Sequence, residues 1–283
     1  MLKTTYEALA VDGLKKPLAE IATACKKHEI NFFIVGAIAR NIWLATNDER
    51  PTGTKDLDFG VFVTDAARYN LLRETLINDL GYTPSKENAF CLTTPEGKQI
   101  DLLPFGEIEQ YDEVSVEGVG ITSVKLDGFK EVFERGTIDL RIGEEIYRSC
   151  SIPGIVILKM IAYDDRPDRR GKDIEDIDAI CQHYPRIEDE NIWSNHSDLY
   201  DDDLEHFDVG LIVLGREMSK LISGNDHLRS RVLRILDKAL RLESRFIDIM
   251  IKNPGEETIE QKRHILRNIQ RGLTEKDSKK HKQ

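Results

Sequence analysis

The sequence predicts an α+β domain followed by an all-helical one, and three observations carry that prediction. Between residues 31 and 105 short apolar runs alternate with stretches of helical periodicity. From Ile152 onward only helical periodicity recurs, and the stretch that separates the two regions, 106 to 150, alternates glycines with β-branched residues. A chain of 283 residues is long enough for two ordinary domains, set here at 1–150 and 151–273, with 274–283 as a charged tail expected to be disordered for want of apolar anchors.

The elements follow in order. Leu14, Leu18, Ile21, Ala22 and Cys25 recur at spacings of three and four, which makes 14–29 an amphipathic helix. "NFFIVG" (31–36) reads as a buried strand ending on glycine, and 37–45 as a helix that leaves directly from it. The polar stretch 46–55, with Pro51 and Gly53, is a loop into the strand "DLDFGVFV" (56–63). Thr64 and Asp65 resemble an N-cap for a helix over 66–80 that stops at Gly81. Residues 89–94 and 99–105 flank the turn "PEGK" as an antiparallel hairpin, and short strands are expected in 114–121 and 144–150. Pro153 in a first turn opens an apolar helix to Asp165. Further helices are expected over 173–184, 209–222, 228–251, closed by "NPG" (253–255), and 256–273.

Charge narrows the range of partners. With 51 acidic against 40 basic residues the net charge is −11, so a polyanion must be held by a local basic patch or by bound metal. The best such patch is Arg166, Arg169, Arg170 and Lys172. Four cysteines lie far apart without CxxC spacing and read as reduced core residues. No leader-like N-terminus or long apolar run is present, so a cytoplasmic protein without a membrane partner is expected.

Asp56 and Asp58 are two apart on one strand and therefore share a face. Carboxylates that close repel unless a cation lies between them. Asp101 opens a neighbouring strand-like run, and three convergent carboxylates can hold two Mg²⁺ ions for phosphoryl or nucleotidyl transfer. Gly36, between a strand and a helix, lets the backbone approach a phosphate at a helix N-terminus. Arg40, one turn on, suits either a phosphate or a sheet-edge carboxylate. The acidic stretch 198–205 reads as a solvated turn, and no histidine pairs with Ser or Cys at a catalytic spacing.

With these parts in this order the chain resembles the polymerase β-like nucleotidyltransferases, whose domain is a mixed sheet flanked by helices. Within them, "VGAIARNIW", "RPTGTKDLDFGV", "IDLLPFGEIE" and "LKMIAYDDRPDRRGKDIEDI" resemble the AbiEii/AbiGii toxin family. The resemblance implies that Gly36 cradles the triphosphate of a bound NTP and that Asp56, Asp58 and Asp101 are the catalytic metal ligands, with Asp101 also placed to activate the acceptor hydroxyl. It assigns Lys159 to the nucleotide, and Lys172, Asp173 and Asp176 to a second charged cluster. The chain departs from the pattern at Ala37, where the family has Gly or Ser, so no hydroxyl is available there. The implied reaction is NMP transfer from an NTP to RNA, such as a tRNA end, by a toxin with a cognate antitoxin. An aminoglycoside or protein acceptor, or a nucleotide-binding module without turnover, are the alternatives.

Overall fold

The computed structural model describes residues 1–5, 7, 13–47, 54, 56–109, 113–202, 204–252 and 258–275. The tail 276–283, most of the 46–55 loop and the "NPG" stop lie outside them. The chain divides into two compact units, Met1–Ser151 and Ile152–Gln283.

In the first unit the chain runs β1 (Leu2–Thr4), α1 (Lys15–Lys27), β2 (Asn31–Ile34), α2 (Gly36–Ala45), β3 (Asp56–Val63) and α3 (Ala66–Glu74). It continues through β4 (Thr83–Pro84), β5 (Cys91–Thr93), β6 (Gln99–Gly106), β7 (Val114–Ser115), β8 (Ser123–Val124), α4 (Phe129–Arg135), β9 (Thr137–Ile142) and β10 (Glu145–Cys150). Eight of the strands form one mixed sheet in the order β1-β9-β10-β2-β3-β6-β5-β4, and β7 pairs with β8 apart from it. This is the α+β class expected, with the site-bearing strands β3 and β6 inside the sheet and parallel to each other.

Alternation along β3 divides its two faces. Leu57, Phe59, Val61 and Val63 are buried on one, while Asp56, Asp58, Gly60 and Phe62 take the other. The second face changes character along its length. Its far end is aromatic: Phe62 meets Phe105 of β6 and stacks on Phe133, and Phe33 of β2 packs over Gly60, where a Cβ would come within 2.2 Å of its ring. Slipping β3 by one residue would carry Asp56 and Asp58 to the fully buried face and lose the match of Gly60 to Phe33, so the apolar and aromatic packing fixes the register of the acidic end.

The predicted helix 66–80 begins as expected, with the Asp65 carboxylate accepting from Arg68 N at 2.9 Å. It ends differently: α3 stops at Glu74 and a π-helical turn covers Thr75–Asp79 before Gly81, at φ +74°, terminates it.

The second unit is helical throughout: α5 (Ile152–Asp165), α6 (Gly171–Ile187), α7 (Asp189–Asn195), a 3₁₀ turn (Ser197–Asp202), α8 (His206–Leu221), α9 (Asp226–Ala239), α10 (Arg245–Met250) and α11 (Ile259–Thr274). The single helix expected over 228–251 is two. Arg263 donates to the carbonyls of Arg241 and Leu242 at 3.1 and 2.9 Å, which satisfies the broken turn between α9 and α10. Asp198, in the acidic stretch read as a solvated turn, pairs with Arg216 at 2.8 Å.

Helices α8 and α11 meet backbone to backbone. A Cβ on Gly215 would lie 2.0 Å from the Ile269 carbonyl oxygen, and one on Gly272 1.9 Å from that of Ile212. Neither obstacle is a flexible side chain, so the helices themselves must separate. Gly272→Ala is therefore expected to lower unfolding stability by about 3 kcal/mol, the upper end for overpacking. Urea unfolding measures it, and a loss under about 1 kcal/mol would show that the helices can part at little cost.

Candidate active site

Two local features bring the acidic residues to one place. β2 runs antiparallel to β3 with Ile34 opposite Phe59, so the turn leaving β2 reaches the N-terminal end of β3, where Asp56 and Asp58 stand. β6 lies parallel on the other side with Asp101 in register with Asp58, and register partners point to the same face. Gly36 closes the arrangement. Its φ of +65° is left-handed, and a Cβ there would lie 2.1 Å from Asp58 Oδ2. Only glycine allows this close approach of backbone to carboxylate.

Gly36 is also the first residue of α2, whose N-terminus carries no side-chain cap. That end of a helix favours negative charge. Ala37 is half-buried beside it. Arg40, three residues beyond Ala37 and one turn of helix after Gly36, is buried and its Nη2 donates to Asn41 Oδ1 at 3.1 Å. The register thus collects Gly36, Asp58 and Asp101, with Asp56 exposed at the rim opposite Gln99.

The row extends one strand beyond the residues singled out from sequence. Cys91 of β5 pairs with Asp101, so its thiol borders the same face. Burial, and after it the Asp101 carboxylate, push that thiol up to about 12. Close to it the Tyr69 hydroxyl donates to Leu102 O at 2.8 Å, and burial raises it to about 12. Both groups stay protonated at neutral pH and wall the carboxylates without adding charge.

Lys159, Lys172, Asp173 and Asp176 belong to the second unit. The Lys159 ammonium is buried and donates to Asp173 Oδ1 at 2.7 Å and Asp176 Oδ2 at 2.8 Å, joining α5 to α6. Lys172 is exposed at the start of α6.

Among the described residues no three His, Cys, Asp or Glu side chains make a ready-formed cation cage. Mg²⁺ does not ask for one: it is commonly held by one or two carboxylates, with substrate phosphates and water completing its shell. The oxygen-only aspartate set beside a glycine cradle fits that demand. No helix among the described residues is long and apolar enough to cross a membrane.

No protein-family model matches the chain. No curated protein matches it either. Solved structures do. The crystal structure of ANT(2'')-Ia with adenylyl-2''-tobramycin shares 18% identity at a TM-score of 0.37, over 57% of this chain and 83% of that one. An antigenic nucleotidyltransferase-like protein from Paracoccidioides brasiliensis shares 13% at 0.38, over 81% and 93%. A tRNA-processing enzyme in its apo form shares 16% at 0.27, over 88% and 59%. Scores this low record a likeness of parts, and the functional reading rests instead on the sheet order and on where it puts the aspartates.

Proposed function

We propose that this chain is a Mg²⁺-dependent nucleotidyltransferase of the polymerase β-like superfamily. It moves an NMP from an NTP to an acceptor hydroxyl of RNA, as a toxin of the AbiEii/AbiGii kind that a separate antitoxin restrains. The observation that carries the reading is the register match of Asp58 with Asp101 beside the Gly36 backbone.

In this reading Asp56, Asp58 and Asp101 hold Mg²⁺, which when bound neutralises triphosphate charge and favours ionisation of the acceptor hydroxyl. The chain's own groups do the rest. The Gly36 backbone and the α2 N-terminus receive the phosphates, and the dipole there offsets their charge. Ala37 offers no hydroxyl, so the backbone alone makes this contact. Asp101 takes the proton from the acceptor oxygen as that oxygen bonds to the α-phosphorus and the bond to pyrophosphate breaks. The buried Cys91 and Tyr69 side chains exclude water from one side of the row.

Incubation with Mg²⁺ and each α-labelled NTP, offered tRNA, an aminoglycoside or a protein pool, tests the proposal. Label in RNA supports it. Label in the aminoglycoside moves the acceptor to a small cation, the second reading, which the net charge of −11 favours. No label anywhere, with nucleotide still raising the melting temperature, leaves a binding module.

A further inference from the structure

The acidic chain carries a concentrated basic face assembled from three parts of the second unit. The carboxylate of Asp164, at the end of α5, gathers Arg231, Arg234 and Lys238 from one face of α9, at 3.5, 3.5 and 2.9 Å. Three cations around one carboxylate leave net positive charge, and Arg231 spends part of its charge on Asp165 at 2.5 Å. The loop that follows Asp165 adds Arg169 and Arg170, both exposed. Arg245 at the start of α10 reaches the same loop, pairing with Asp168 at 2.7 Å. Gly171, which opens α6, lies against Ile249 of α10, so loop, helix start and α10 form one surface.

The exposed members are free to face an outside partner: the side chains of Arg234 and Arg245 are 59% and 58% accessible. The buried Asp164–Arg231 pair ties α5 to α9, but the exposed pairs that Arg234, Lys238 and Arg245 add around it contribute little to folding. A cluster of arginines from several elements instead matches the spacing of a phosphate backbone and its preference for planar donors. It also repels a cationic small molecule.

We infer that this face, centred on Asp164 and spanning the α5–α6 loop, α9 and the start of α10, binds the RNA acceptor through its phosphates. The inference rests on the nucleotidyl-transfer reading for the word acceptor, but binding is measured without NTP or metal, so the two can fail separately.

The test is fluorescence anisotropy of labelled tRNA and of a polyuridylate oligomer, titrated with full-length protein across a salt series. The variant Arg169→Glu/Arg234→Glu/Arg245→Glu takes one exposed arginine from each part. It is expected to weaken binding at least tenfold and to flatten the log Kd against log salt slope by about 2, roughly 0.7 per lost single-strand phosphate contact. A control of equal charge, Lys26→Glu/Lys27→Glu/Lys86→Glu in the first unit, is expected to stay within twofold of wild type. The three corresponding Arg→Lys changes are expected to keep most of the affinity. Equal loss in variant and control would mean net charge alone acts, and unchanged affinity in the variant would mean the face is not the site; either overturns the inference. RNA binding that depends on this face in a protein that transfers no nucleotide would overturn the enzyme reading and leave the face standing.

Discussion

Asp58→Asn is expected to lower nucleotidyl transfer by about 10³-fold while the protein stays folded. The size follows from removing one fixed charge at a site whose chemistry is charge stabilisation. Asparagine keeps the shape of aspartate, and the residues that hold β3 in place, Leu57, Phe59 and Val61 below and Phe62 beyond, are untouched. The carboxylate also stands in register with Asp101, and like charges at directly opposed positions destabilise a sheet. The melting temperature of the metal-free variant is therefore expected to be equal to or above that of wild type. Label transfer and thermal unfolding on the same preparation measure both. Retained transfer would show that Asp58 is not a ligand, and loss of transfer with a large fall in melting temperature would show only that the strand had been damaged.

Lys159→Met is expected to cost about 3–5 kcal/mol of stability, because it removes the buried ammonium that bridges Asp173 and Asp176, the more distant Arg170 at 3.7 Å from Asp173 being a weaker partner. Buried ion pairs contribute modestly to stability as intact units and heavily when broken. Urea unfolding of Lys159→Met beside Lys159→Met/Asp173→Asn/Asp176→Asn separates the two effects. Most of the loss is expected to return in the triple variant, since the two buried side chains are then neutral. If Lys159→Met instead unfolds within about 1 kcal/mol of wild type and loses NTP affinity, the ammonium serves the nucleotide and its pairing with the two carboxylates is secondary.

What the sequence made legible was local. The alternation of 56–63 places Asp56 and Asp58 on one face, and a glycine between a strand and a helix marks a turn. That the turn reaches the aspartates depends on β2 running antiparallel to β3, which no local pattern states. Cys91 was within reach: the 94–98 turn fixes the hairpin's pairing, and counting back from it sets residue 91 opposite 101. β1 has no local signal because it is three residues long and pairs with β9 across more than 130 residues, whereas β9 was within reach, since Gly143 and Glu144 join it to β10 as a tight hairpin. The break between α9 and α10 has no local signal, since the apolar period of 228–251 carries on through it and the donors that stabilise the open turn come from α11. The cation cluster at Asp164 joins residues some 70 positions apart, with only its loop half visible as a charge run.

In the proposed function the Asp58–Asp101 row beside Gly36 receives a metal-bound triphosphate. Calorimetric titration of a non-hydrolysable NTP, with and without Mg²⁺, into wild type and Asp58→Asn tests it most directly. The expected result is binding that Mg²⁺ strengthens at least tenfold in wild type and leaves unchanged in the variant. Equal Mg²⁺-dependent affinity in both proteins would contradict it.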